Sequence, residues 1–225
     1  MTLRVFIGYD HRQPVAFNVC ASSIMRRASK PVAIVPLTLK SLAPFDRGYP
    51  KEGLTEFTYS RFLVPSLSGF EGVSVFLDAD MIVLDDIYKL VEDSPVSSVS
   101  VVQCEKRFEW PSMMVFRNLM CSLLTTEYVQ TAPPDHLFRL EWAHSVGMID
   151  PKWNFCVGYD KPPQETPKLI HYTQGIPCFP ETKNCDYAKL WHKELSWMNS
   201  TVTWEELMGK SVHAVPVKER IKEVV

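Results

Sequence analysis

The sequence predicts an α/β fold with a mostly parallel central sheet flanked by helices, on three observations. Residues 3–35 read strand, helix, strand, an order that needs a crossover connection and therefore a parallel pair. Short continuous apolar runs bounded by Gly or Pro recur further along, as expected of strands buried in a sheet. The 225 residues, 46% of them hydrophobic, suffice for one sizeable core and are few for two. A single domain over residues 1–225 is expected, with no internal repeat and no linker.

The elements follow in order. Leu3-Arg4-Val5-Phe6-Ile7 stops at Gly8 and reads as a buried strand. Pro14 suits a first helical turn, and Val15, Ala16, Val19, Cys20 and Ser23 then recur at helical spacing up to Arg26-Arg27. Val32 to Val35 is the second strand, between Pro31 and Pro36. Residues 56–67 suggest a helix interrupted by Pro65, and Val73-Ser74-Val75-Phe76-Leu77 is the most strand-like run of the chain. Further strands are expected at 98–103, 113–116 and 169–172, and a helix at 135–146. Residues 150–180, rich in Pro, Trp and Tyr, read as ordered loop.

Composition excludes several classes. The 24 basic and 26 acidic residues leave a net charge of −2, which gives no global attraction to nucleic acid or anionic membrane. No apolar run reaches the length of a membrane span, and the N-terminus lacks the stages of a signal peptide. Six cysteines without CxxC spacing read as reduced, mostly buried thiols of a cytoplasmic protein. Cys178 and Cys185 are near enough in sequence to pair.

The chemistry concentrates after the run 73–77. Asp78 and Asp80 flank Ala79 where the strand ends, and residues i and i+2 of a strand share a side. Carboxylates that close raise each other's pKa unless a cation neutralises them. The C-terminal edge of an open α/β sheet is also where ligands bind. A hard divalent ion, Mg²⁺ or Mn²⁺, fits such a pair and would bridge a diphosphate.

The segment Val75-Phe76-Leu77-Asp78-Ala79-Asp80-Met81-Ile82-Val83 resembles the metal-binding motif of nucleotide-sugar glycosyltransferases with the GT-A fold, and within them glycosyltransferase family 8. Tyr59-Ser60-Arg61-Phe62 is similar to the family's Tyr-Ala-Arg-Leu helix. Lys168-Leu169-Ile170-His171-Tyr172-Thr173 resembles the late strand whose histidine completes the metal site. Val5-Phe6-Ile7-Gly8-Tyr9-Asp10 occupies the place of the first strand and its uracil-contacting turn. The four patches span residues 4 to 179. The resemblance implies a single Rossmann-like GT-A domain and sugar transfer from a UDP-sugar to a carbohydrate or glycoconjugate acceptor, with retention of configuration.

It also implies roles for particular residues. Asp78, Asp80 and His171 would be the metal ligands; Gly8, Tyr9, Asp10, Arg61, Ala79, Gln174 and Gly175 would line the donor. Asp135, ahead of Trp153-Asn154, stands nearest the family's Asp-Gln motif, which makes Asp135 and Asn154 the catalytic candidates. The family's lysine after the histidine is missing from His171-Tyr172-Thr173-Gln174-Gly175-Ile176-Pro177-Cys178-Phe179. Arg61 or the Gly175 amide would then neutralise the diphosphate.

Each residue has a plainer reading. His171 fits a core histidine, and as a ligand it must be neutral, so binding would fail below a pKa of roughly 6.5. Arg61 fits a surface ion pair with Glu56 or another acid, Asp10 a cap for the helix near Pro14, and Tyr59 packing. Trp110, Trp142, Trp153 and Phe179 fit core or loop packing as well as sugar stacking, and Ser112 is a further sugar-facing position. Two other functions compete with the transferase: a non-catalytic nucleotide-sugar or glycan-binding module, and an Asp-nucleophile phosphatase.

Overall fold

A computed structural model describes residues 2–47, 55–202 and 206. A six-stranded sheet forms its centre. Strand β1 (Leu3–Tyr9) leads into α1 (Pro14–Met25), with Pro14 in the first turn, and the chain returns parallel to β1 as β2 (Val32–Thr38). This is the crossover unit expected from the sequence. Strand β2 runs through Pro36, which an edge strand tolerates because the missing N–H has no ladder partner to lose.

Residues 56–67 depart from one interrupted helix. Turns lead into a 3₁₀ helix (Ser60–Leu63) and then α2 (Val64–Leu67), where Pro65 sits in the first turn and so starts the α-helix. Strand β3 (Val73–Leu77) lies parallel beside β1 and is almost fully buried. Then come the short β4 (Met81–Val83) and α3 (Ile87–Asp93), capped by the Asp86 carboxylate on the Tyr88 amide. Strand β5 (Val99–Val102), a 3₁₀ helix (Arg107–Ser112) and β6 (Met113–Arg117) follow, β6 antiparallel to both β3 and β5. Two short helices, α4 (Thr126–Thr131) and α5 (Pro134–Phe138), precede β7 (Val146–Ile149), which joins β5 in parallel.

The order is β2-β1-β3-β6-β5-β7, with β6 alone reversed. The helix expected over 135–146 is thus only the five residues of α5, and its far end is an edge strand. Val146 and Met148 point out while Gly147 and Ile149 point in, a period of two.

The expected loop at 150–180 contains a second sheet. Strand β8 (Phe155–Cys156) pairs in parallel with β9 (Leu169–His171), and β9 pairs antiparallel with β4. This three-stranded unit sets Met81 opposite His171, and the Tyr172 amide donates to the Asp80 carbonyl at 2.9 Å. Helix α1 holds β4 from the other side, because the Ser23 hydroxyl accepts the Val83 amide. Helix α6 (Ala188–Met198) covers α1, where buried Glu194 takes both Arg26 and Arg27. All six cysteines are free, Cys178 and Cys185 included. No helix among the described residues is long and apolar enough to cross a membrane.

Candidate metal and nucleotide site

Strand β3 ends at Leu77, so Asp78, Ala79 and Asp80 form the turn to β4 and do not continue the strand, as the spacing argument supposed. The turn is fixed at both ends: the Asp78 amide donates to the Ser112 carbonyl, and the Asp80 carbonyl is held by Tyr172. Tertiary pairing with β9 brings His171 to the two carboxylates. One oxygen each of Asp78 and Asp80 and one His171 nitrogen all lie within 4.8 Å of one another. His171 Nε2 is 3.2 Å from Asp80 Oδ1, and the imidazole is buried.

Two observations fit this cluster to a divalent ion. Asp78 Oδ1 and Asp80 Oδ1 are buried without a hydrogen-bond donor. Arg61 Nη1 and His171 Nε2 stand at ion-pair distance from them, 3.1 and 3.2 Å, without the alignment of a hydrogen bond. Two hard carboxylates and one imidazole also form the donor set that Mn²⁺ or Mg²⁺ accepts.

The electrostatics agree. Burial pushes the Asp78 carboxyl well above its ordinary value, and Asp80 and Glu109 add to this against the pull of Arg61 and His171. Burial of His171 favours its neutral form, but Asp80, Glu109 and Asp78 outweigh it and raise the imidazole to about 9. The expected titration near 6.5 is therefore displaced upward. The neighbouring carboxylates thus favour the imidazolium form in the metal-free protein, and a metal ion would compete with that proton.

A cleft of about 290 Å³ opens beside Asp80. Asp10, Gln13, Phe57, Ala79, Thr173, Gln174, Gly175 and Phe179 line it, with no lysine or arginine among the described residues there. Of the aromatic residues weighed for sugar stacking, Phe179 alone reaches this cleft. Trp153 is fully buried with its indole N–H on Asp93, and Trp110 and Trp142 donate to backbone carbonyls.

Of the residues expected to line the donor, Asp10, Ala79, Gln174 and Gly175 lie on this cleft, and several have further contacts of their own. Arg61 is buried, pairs with Asp78 and donates to the Pro111 carbonyl, so it faces neither solvent, nor Glu56, nor the cleft. The Gly175 amide donates to the Tyr172 carbonyl at 2.7 Å and is not free for a phosphate. Gly8 admits the chain's own Phe57: a Cβ there would lie 2.4 Å from the ring. Tyr9 packs edge-on against Phe17, and Tyr59 against Phe138. Asp10 does not cap α1; its carboxylate takes the Arg12 amide and guanidinium and the Glu56 amide. Burial opposes the Asp10 charge, but the bonds from Arg12 prevail and hold the carboxyl below its usual range.

The two catalytic candidates are not brought together. Asp135 lies exposed on α5, paired with Arg139. Asn154 is fully buried, its amide donating to Ser112 and Cys104. Asn154 and Ser112 therefore support the turn from within, since Ser112 also carries the carbonyl that holds Asp78. Sequence reasoning passed over Glu109, a buried carboxylate beside His171, and Thr173, whose hydroxyl donates to it. Thr173 was visible two residues after the histidine; Glu109 gave no signal in the short 3₁₀ segment between strands.

No protein-family model matches the chain. Its fold matches that of the galactosyltransferase LgtC solved with donor and acceptor sugar analogues, at a TM-score of 0.59 and 11% identity, over 90% of this chain and 99% of that one. The apo glycosyltransferase GlyE of Streptococcus pneumoniae TIGR4 gives 0.62 and 14%, over 93% and 63%. The bifunctional WbbM gives 0.60 and 18%, over 93% of this chain and 51% of that one, so the chain spans about half of its length. These likenesses show the GT-A fold. In sequence the chain is 32% identical to Protein CDI of Arabidopsis thaliana, over 87% of this chain and 87% of that one. With that identity across nearly the whole of both, the chain belongs to the family of Protein CDI, built on the GT-A glycosyltransferase fold.

Proposed function

We propose that the protein is a metal-dependent glycosyltransferase of one domain that moves a hexosyl group from a UDP-sugar to a carbohydrate or glycoconjugate acceptor. Retention of configuration follows from the resemblance to family 8. The observation that carries the reading is the pair of orphaned, buried carboxylate oxygens of Asp78 and Asp80 facing His171 at the edge of the cleft. LgtC, on the same fold, was solved with donor and acceptor sugar analogues, which supports a sugar-nucleotide ligand for this cleft.

Asp78, Asp80 and His171 would hold Mn²⁺ or Mg²⁺, which supplies Lewis-acid stabilisation of the departing diphosphate when bound. Among the described residues no arginine or lysine lines the cleft, and the ion would supply positive charge to the diphosphate there. Thr173 and Gln174 present polar groups to the ligand, and Phe57 and Phe179 present apolar faces that exclude water. Arg61 acts from behind, offsetting the Asp78 charge.

The test is calorimetric titration of UDP with and without Mn²⁺, followed by UDP release from a panel of UDP-sugars. Binding only with Mn²⁺, lost in Asp80→Asn, is expected; equal UDP affinity with EDTA would overturn the metal assignment. The exposure of Asp135 favours a second reading, a binding module without turnover, and metal-dependent UDP binding with no release from any donor would establish it. An imidazole 3.2 Å from Asp80 completes an ion-binding cluster and favours the metal reading over an Asp-nucleophile phosphatase.

A further inference from the structure

We infer that Glu109 is a positioning residue for the metal site, orienting His171 through the imidazole edge opposite the cluster; this rests on the metal reading above. His171 has two distinct edges here. Nε2 faces Asp80 at 3.2 Å, while Nδ1 faces Glu109 Oε2 at 3.8 Å. Glu109 lies outside the group of ligand atoms formed by Asp78, Asp80 and His171. It is buried, and Thr173 donates its hydroxyl to the other carboxylate oxygen. The Glu109 backbone is fixed as well, since the Ser112 hydroxyl donates to its carbonyl.

A histidine that ligates through Nε2 must carry its proton on Nδ1, and an acceptor on that side selects this tautomer and fixes the ring. Among the described residues Glu109 is the one carboxylate within 4 Å of Nδ1; the other neighbour is the Cys156 thiol, 3.7 Å from Nδ1. The thiol is a weak, neutral acceptor, whereas Glu109 acts on the Nδ1 proton by its charge, at ion-pair rather than hydrogen-bond distance. Thr173 gives the arrangement a second use. It also lines the cleft, so one hydroxyl joins the donor pocket to the group that orients the metal ligand.

Mn²⁺ affinity, measured by calorimetry and by electron paramagnetic resonance, tests this in the wild type and in Glu109→Gln, Glu109→Asp, Thr173→Val, Cys156→Ser and Asp80→Asn. Glu109→Gln keeps size and the Thr173 contact but removes the charged acceptor. It is expected to weaken Mn²⁺ binding about 10- to 100-fold with the melting temperature little changed, and Glu109→Asp to recover part of the loss. Thr173→Val should weaken binding less, and it carries the test if Glu109→Gln does not fold. In the Mg²⁺-loaded wild type, ¹⁵N resonances of His171 should show the Nδ1–H tautomer, and Glu109→Gln a mixture. Unchanged Mn²⁺ affinity in Glu109→Gln, where Asp80→Asn has lost it, would overturn the role of Glu109 alone. The same holds if Cys156→Ser reproduces the loss and Glu109→Gln does not. Equal Mn²⁺ binding in the wild type and Asp80→Asn would overturn the metal reading and this inference together.

Discussion

Replacing Arg61 by Met removes one charge of a buried pair and leaves the other. The guanidinium lies 3.1 Å from Asp78 Oδ1, with side chains 8% and 13% exposed, so water screens the pair poorly. At an effective dielectric of about 20, unit charges at this distance attract by about 5 kcal/mol. Breaking a buried pair from one side typically costs about 3–5 kcal/mol. Met keeps most of the apolar contact Arg61 makes with Phe76 and Phe57, whose ring centroids lie 5.1 and 5.6 Å from the guanidinium carbon. For a chain of this size that loss lowers the melting temperature by about 6–20 °C.

The experiment is urea denaturation in EDTA above the raised Asp78 pKa of about 7, where both groups are charged, with Asp78→Asn and the double variant completing a cycle. Asp78→Asn relieves repulsion from Asp80 and Glu109, so the double variant should recover most of the stability that Arg61→Met loses. Acidification should shrink the cost, because Asp78 then takes up a proton. A coupling energy below about 0.5 kcal/mol would refute the argument and leave Arg61 with a packing role only.

Three other perturbations have definite signs. Metal-free protein should lose stability as the pH rises from about 6.5 through about 9, since the raised His171 pKa stabilises the fold only while the imidazole is protonated. A melting temperature flat across that window would contradict the assignment. Apparent Mn²⁺ affinity should climb over the same range by about tenfold per unit, the mark of one displaced proton, and a pH-independent affinity in calorimetry would remove His171 from the ligand set. Gly8→Ala places a methyl group 2.4 Å from the buried Phe57 ring; it should destabilise the fold by about 1–3 kcal/mol and disturb the cleft, and unchanged stability together with unchanged UDP affinity would show that the ring moves aside freely.

Strands β1 and β3, helix α1 and the acidic turn at 78–80 were legible in the sequence because each is a local pattern: continuous apolar residues, helical spacing, a charge pair at a strand end. Patterns that local reasoning confuses were misread. Val146 to Ile149 is too short to reveal its period of two beside the helical spacing upstream, and only pairing with β5 makes it a strand. The turns at 56–59 and the second sheet at 155–171 exist through contacts with distant residues, which no window of sequence contains. The site divides in the same way. The sequence marked Asp78, Asp80 and His171, and the tertiary structure decided what surrounds them. It turned Arg61 inward onto Asp78, occupied the Gly175 amide, buried Asn154 beneath the turn and left Asp135 in solvent. It also set Glu109 behind His171, because a carboxylate on a short 3₁₀ helix meets the imidazole only when β9 folds across β4 and carries it there.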